Sequence, residues 1–308
     1  METVLILDPV APLLATELRG AGLEVQDFSR SGAKRVEESL AGAQGLVVRS
    51  RTRVTAEMID RAPGLRVIGR AGSGTDSIDV AHAKSRGIEV LTVPGGNENA
   101  VAELVLGMML ALARHLVPAV DASRRGQWAK SKLMGFELAG ETLGVIGTGR
   151  IGSRLARKAL ALEMRVLGSD PFADLSDLAA DGLEIASMED VLSRSRFVSV
   201  HVPLSDATRS LLGRKEFASM RRDAYLVQCS RGGVVDEDAL AEALEAERLA
   251  GAALDVFARE PEFPERLARN PRVLATPHIG ASTVQSQEKI AAALAGRIIG
   301  CFREGETR

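Results

Sequence analysis

"TLGVIGTGRIGSRLARKALALEMRVLGSDPF", residues 142–172, places glycines at 147, 149 and 152 in the spacing G-x-G-x-x-G. The chain holds 30 glycines, so the spacing alone proves little and its flanks must decide. Thr142–Ile146 reads as a buried strand that ends on the first glycine, and Ser153 to Met164 has helical periodicity through Leu155, Ala156, Ala159 and Leu160. The glycines therefore sit at a strand-to-helix turn. Gly147 permits the tight turn, Gly149 lets backbone approach a pyrophosphate, and Gly152 allows close helix–strand packing. Amide groups at the helix start face the anion. A second strand, Arg165–Ser169, ends at Asp170, 18 residues past Gly152. An acid there suits the ribose hydroxyls and repels a 2′-phosphate, which favours NAD over NADP. A glycine turn with no ligand is the alternative; strand, helix and acid in register argue against it.

Outward from this stretch, short apolar runs alternate with helical patterns. Val4–Asp8, Gly45–Ser50, Arg66–Ala71 and Ile88–Val93 read as strands, separated by helical patterns at Leu13–Gly20, Val36–Ala41, Thr55–Arg61 and Asp79–Arg86. One long helix is expected over 99–125. A second series follows, with strands at Thr142–Ile146, Arg165–Ser169, Phe197–Val202, Ala224–Cys229, Gly251–Val256 and Val273–Thr276, and a terminal helix over Thr283 to Phe302. Alternation of this kind implies α/β architecture with parallel sheets.

Composition narrows the functional classes. The 308 residues are 45% hydrophobic and 26% charged, which supports a packed core, but only 3% aromatic, so that core is aliphatic. Lys plus Arg is 39 against 41 Asp plus Glu, a net charge of −2 that argues against a broad nucleic-acid surface. The two cysteines, Cys229 and Cys301, have no metal spacing and suit a reducing, cytoplasmic setting. The N-terminus lacks the apolar run of a signal peptide. The apolar stretch from Ala100 to Ala113 contains Glu103 and is too short to span a bilayer, so no membrane role is expected.

Several further segments, in order, carry a resemblance: "VVRSRT" (47–52), "GRAGSGTDSIDV" (69–80), "VPGGNENAVAEL" (93–104), "GQWAKSKLMGFEL" (126–138), "HVPL" (201–204), "CSRGGVVDEDAL" (229–240), "AALDVFAREP" (252–261) and "TPHIGAST" (276–283). With the glycine turn they make the chain resemble the D-2-hydroxyacid dehydrogenase family over nearly its full length, in particular the branch acting on 3-phosphoglycerate. The resemblance implies two doubly wound parallel-sheet domains, with an NAD(P)-binding Rossmann domain (99–280) inserted into a flavodoxin-like substrate domain (1–98 and 281–308). It implies NAD as cofactor, no metal, and a homodimer or homotetramer. Some relatives carry C-terminal regulatory domains; none is expected in a chain ending at Arg308.

The implied chemistry needs a base for the hydroxyl proton and a cation for the substrate carboxylate. The resemblance assigns His278 as general acid/base, Glu260 as the group that holds its imidazole, and Arg231 as the fork on the carboxylate. The four histidines are His82, His115, His201 and His278. His278 stands out by ending a strand at a glycine turn, while His201 is expected to line the cofactor cleft. For the cofactor the resemblance adds Arg150, Ile151, Val202, Cys229, Asp255 (at the carboxamide), Ser73 and Gly280. For the substrate it adds Arg49, Ser50, Arg51 and Asn97, with two arginines matched to a dianionic phosphate. One departure is Gln228, where the family usually has Asn; it is expected to alter a packing hydrogen bond near the nicotinamide. The expected reaction is oxidation of 3-phosphoglycerate to 3-phosphohydroxypyruvate. Alternatives are reduction of glyoxylate, hydroxypyruvate or another anionic 2-oxo acid such as a sulfonate and, in a different class, an NAD-sensing corepressor.

Overall fold

A computed structural model describes residues 2–30 and 33–304; the expectations for Met1 and for the chain end at Arg308 fall outside them. The chain divides into two compact units, Met1–Asn97 with Ser282–Arg308 (unit 1) and Glu98–Ala281 (unit 2).

Unit 1 contains β1 (Thr3–Ile6), β2 (Glu24–Asp27), β3 (Gly45–Val48), β4 (Val67–Arg70) and β5 (Glu89–Thr92), all parallel, in the order β2-β1-β3-β4-β5. Successive residues of β1 enter opposite cores, as the two-residue strand period requires. Val4 and Ile6 pack with Leu14 and Leu18 of helix Pro12–Gly20 and with Ile290, Leu294 and Ile298 of helix Val284–Glu304. Leu5 and Leu7 pack on the other side with Ile59 and Ala83. Both faces are covered, which is why central strands such as β3 read as unbroken apolar runs.

Unit 2 contains β6 (Thr142–Ile146), β7 (Arg165–Ser169), β8 (Glu184–Ile185), β9 (Phe197–Val200), β10 (Tyr225–Gln228), β11 (Gly251–Leu254) and β12 (Val273–Ala275). Their order is β12-β11-β10-β9-β6-β7-β8, again all parallel. Val145, Val227 and Ala253 face one apolar core, while Ile146, Leu226 and Leu254 face the other.

The structure departs from the sequence reading in three places. Strand β2 was not expected, because only Val25 of its four residues is buried, a weak signal typical of an edge strand. Strand β8, also not expected, is two exposed residues at an edge of the unit 2 sheet. The single helix expected over 99–125 is two, Glu98–Ala113 and Leu116–Arg124, bent by 64°. The break falls at His115, whose φ of 50° lies in the left-handed region that cannot continue a right-handed helix.

Candidate active site

The glycine turn follows β6 directly, at the point where the sheet order reverses between β6 and β9. In doubly wound sheets this is where ligands bind. Each glycine has a distinct constraint. A Cβ on Gly147 would lie 2.9 Å from the carbonyl of His201 beyond β9, and its φ of 87° disfavours any other residue. A Cβ on Gly152 would lie 2.1 Å from the Gly147 carbonyl oxygen. A Cβ on Gly149 would meet no atom within 4 Å. Packing thus requires Gly147 and Gly152 but not Gly149. A glycine there fits a ligand whose pyrophosphate must come against bare backbone. Gly149 caps helix Arg150–Ala161, which begins with the expected Arg150 and Ile151.

Asp170, just past β7, lies against this turn. Its Oδ2 accepts from the Thr148 amide at 2.9 Å and from the Thr148 hydroxyl at 3.3 Å, while Oδ1 accepts from the Phe172 amide. The link through Thr148 escaped the sequence reading; the signal was a hydroxyl residue between the first two glycines. Val202 also borders the turn, with a methyl 2.9 Å from the Cβ position of Gly147.

Three more strand ends bring a histidine, a glutamate and an arginine together. His278 follows β12, and its Nδ1–H donates to Glu260 Oε2 at 2.7 Å. Burial raises the Glu260 carboxyl. The His278 hydrogen bond and charge, the Phe257 amide and the charge of Arg231 outweigh burial and hold it below the usual carboxylate value. Glu260 is therefore ionised at neutral pH, and Arg231, beyond β10, is close enough to act on it. Gly232 makes this possible, since a Cβ there would lie 1.9 Å from the Phe257 carbonyl oxygen. The Arg231 turn and the Glu260 loop meet backbone to backbone.

His278 has a φ of 53°, a left-handed conformation costing about 1–2 kcal/mol for a residue with a Cβ. Asp255, just past β11, holds it there. Its buried carboxylate accepts from the Thr276 hydroxyl at 2.6 Å and from the amides of Ile279 and Gly280 at 2.8 Å each. The resemblance implies a place for Asp255 at the nicotinamide carboxamide; the structure adds that it braces the histidine loop, with Gly280 part of that brace. Thr276 was missed because a strand-terminal Thr carries no distinctive pattern.

The remaining candidates separate by environment. Burial pushes the His201 imidazole down to about 4, so it is neutral at pH 7, and its Nε2 sits 2.8 Å from the Ser199 hydroxyl. Burial pushes the Cys229 thiol up, and its sulfur lies 3.7 Å from that of Met108, so any role there belongs to backbone rather than thiolate. Ser73, Asn97, Arg49, Ser50 and Arg51 all belong to unit 1. Ser73 and Ser50 are exposed. Arg49 Nη2 donates to the Ser282 hydroxyl at 3.1 Å. Arg51, expected to grip a phosphate, is turned onto its own unit: Nε donates to Asp8, and Nη2 donates to the carbonyls of Leu7 and Ser29. No group of three or more His, Cys, Asp or Glu among the described residues is arranged to hold a metal ion.

Residues 106–280 match the profile of the D-isomer specific 2-hydroxyacid dehydrogenase family, NAD binding domain. The chain is 38% identical over 289 residues to D-3-phosphoglycerate dehydrogenase of Rattus norvegicus, covering 94% of this chain and 54% of that protein. It is 43% identical over 256 residues to hydroxypyruvate reductase of Thermotoga maritima, covering 82% and 83%. D-Lactate dehydrogenase from Aquifex aeolicus, solved with NAD and lactic acid, superposes with a TM-score of 0.85 at 29% identity, covering 99% and 96%. The chain belongs to the D-isomer specific 2-hydroxyacid dehydrogenase family, and unit 2 carries its NAD-binding domain. It spans about half the length of the phosphoglycerate dehydrogenases it matches.

Proposed function

We propose that the chain is an NAD-dependent oxidoreductase that interconverts a small anionic 2-hydroxy acid and its 2-oxo acid. The observation that carries this reading is the ionised Glu260 against His278, with Arg231 beside them, at the strand ends flanking a glycine turn. The turn and Asp170 would hold NAD, which when bound accepts or returns the hydride. With Nδ1 committed to Glu260, His278 presents Nε2 to the substrate oxygen. It takes the hydroxyl proton during oxidation and returns it during reduction. The Glu260 carboxylate stabilises the imidazolium that results and fixes the ring tautomer. Arg231 forks onto the substrate carboxylate and draws on the 2-oxygen.

For the substrate we favour an unphosphorylated acid, such as hydroxypyruvate or glyoxylate, over 3-phosphoglycerate. Two observations support this. Arg51 is engaged by Asp8 and two carbonyls, which favours a bracing role over a phosphate grip. The hydroxypyruvate reductase of Thermotoga maritima also matches this chain across most of both lengths. We further propose a cytoplasmic homodimer or homotetramer. No single helix among the described residues is long and apolar enough to cross a membrane. Exposed Leu116, Val117, Val120, Trp128 and Met134 in unit 2 give a second copy apolar surface to cover.

The deciding experiment is a panel of 2-hydroxy and 2-oxo acids assayed with both nicotinamide cofactors, with sedimentation of the same sample. Turnover of NADH with hydroxypyruvate or glyoxylate is expected. NADH binding without turnover of any acid would make the chain a sensor. A preference for 3-phosphoglycerate would reverse the substrate reading.

A further inference from the structure

We infer that Gln228 is a positioning residue that fixes the backbone from which Arg231 reaches its substrate. Gln228 ends β10 and is 2% exposed, directly after the apolar Leu226 and Val227. A buried amide there costs stability unless its polar atoms are engaged. Its Nε2–H donates to the Arg231 carbonyl at 2.9 Å. Its Oε1 accepts from the Ser230 hydroxyl at 2.9 Å and from the Ser230 amide at 3.3 Å. Arg231 Nη1 closes the arrangement by donating to the Ser230 carbonyl at 2.8 Å. The amide can be oriented only one way, because the flipped form would set oxygen against the Arg231 carbonyl and NH2 against the Ser230 amide.

The need for such a clamp follows from what comes next. Gly232 and Gly233 follow Arg231, and Gly233 has a φ of 82°. Two glycines leave the chain beyond Arg231 with little conformational preference of its own. The backbone of Arg231 is held most closely from the strand side, by Gln228 at 2.9 Å, with the close contact of Gly232 with Phe257 and a longer bond of 3.4 Å from the Val234 amide to the Arg231 carbonyl. The strand end is itself fixed, since the Asp255 amide donates to the Gln228 carbonyl at 2.9 Å. Catalytic groups must hold their positions closely; a displacement near 1 Å costs up to about a hundredfold in rate.

The test uses the full chain with Gln228→Ala and Gln228→Asn, the second keeping an amide should the first fold poorly. Hydrogen exchange of the peptide spanning 229–234 is the first measurement, and it does not depend on the reaction. Gln228→Ala is expected to speed exchange there, the Ser230 amide included, while peptides from β6 are unchanged; Gln228→Asn should recover part of the protection. Unchanged exchange in Gln228→Ala would overturn the inference. The second measurement rests on the proposed reaction. Gln228→Ala should raise KM for the 2-oxo acid and lower kcat, together by about ten- to a hundredfold in kcat/KM, with KM for NADH within about twofold. Added to Arg231→Ala it should change nothing further, the sign of two residues acting as one. Multiplicative losses, or equal loss of NADH affinity, would show a general packing role and refute the inference. If the wild type reduces no 2-oxo acid, the proposed reaction fails, and the exchange result alone decides the role of Gln228.

Discussion

Both units place their strand ends around a reversal of sheet order, between β6 and β9 in unit 2 and between β1 and β3 in unit 1. In unit 2 the reversal is furnished with glycines, and a Cβ at Gly149 would touch nothing. In unit 1 it is furnished with Asp8. That buried carboxylate accepts from the amides of Arg49 at 2.7 Å, Thr52 at 3.1 Å and Arg51 at 3.2 Å, and from the Thr52 hydroxyl at 2.6 Å. Converging amides of this kind form an anion-binding nest. Unit 1 fills its nest with its own side chain, whereas in unit 2 the Asp170 carboxylate takes the Thr148 amide and the space beside Gly149 stays open. One topology thus serves two ends: an internal anion locks the strands of unit 1 together, and the glycine turn of unit 2 is the place we propose for the cofactor.

Five measurements would break or sharpen this contrast. The largest effect is expected at the chemical centre of unit 2. His278→Ala should lower kcat by about 10²–10⁴ with NADH binding retained; near-normal turnover would remove His278 as proton carrier. Next, Gly149→Ala should lower the melting temperature only slightly, by the loss of a favoured cap residue, because no neighbour lies in the way of a Cβ, yet weaken NADH binding by at least about tenfold. Fluorescence titration checks this, and unaltered affinity would mean that no ligand approaches the turn. Asp170→Ala should raise KM for NAD by about tenfold and admit NADP; an unchanged cofactor ratio would deny its ribose role.

The corresponding change in unit 1 should act on stability instead. Asp8→Asn is expected to cost about 2–4 kcal/mol in chemical unfolding while leaving NADH affinity alone. The sign of its pH dependence follows from the environment of Asp8. Burial raises the carboxyl, but the Thr52 hydroxyl, the Arg49 and Thr52 amides and the Arg51 charge together bring it below 3.8. Its stabilisation is present above that ordinary value and is lost as pH falls through the lower folded value. Asp8→Asn should therefore flatten the acid limb of the stability curve. The smallest effect is expected for Arg51→Ala: kcat/KM within about threefold for phosphorylated and unphosphorylated acids alike, as befits a largely exposed arginine that braces the buried Asp8 from the solvent side. A loss confined to phosphorylated acids would restore the phosphate role.

The sequence shows best what physical chemistry encodes locally. Strands covered on both faces, such as Gly45–Val48 and Gly251–Leu254, are continuous apolar runs and are legible without a structure. Edge strand Glu24–Asp27 is not, because one buried Val cannot set a pattern. The break at His115 has one sequence signal, Pro118, which has no amide to donate to the Arg114 carbonyl and so suits only the first turn of a new helix; the apolar residues on both sides mask it. At the site, the types and spacing of His278, Glu260 and Arg231 are visible as motifs, but the work of Asp255, Thr148 and Gln228 is not. Each bonds across a turn or to a neighbouring strand end, and nothing in the local sequence specifies the partner.

By itself, then, the chain determined its alternation of strand and helix and its glycine turn with the acid that follows. These depend on spacing along the backbone, whereas the roles of His278, Glu260 and Arg231 came from resemblance to a family. Tertiary structure alone decided that Arg51 turns inward to Asp8, that Asp255 holds a histidine in a left-handed conformation, and that an amide at 228 reaches the carbonyl of Arg231. Those outcomes depend on which buried polar groups find partners in space, because an unpaired buried charge or amide costs more than the local preferences that would place it elsewhere.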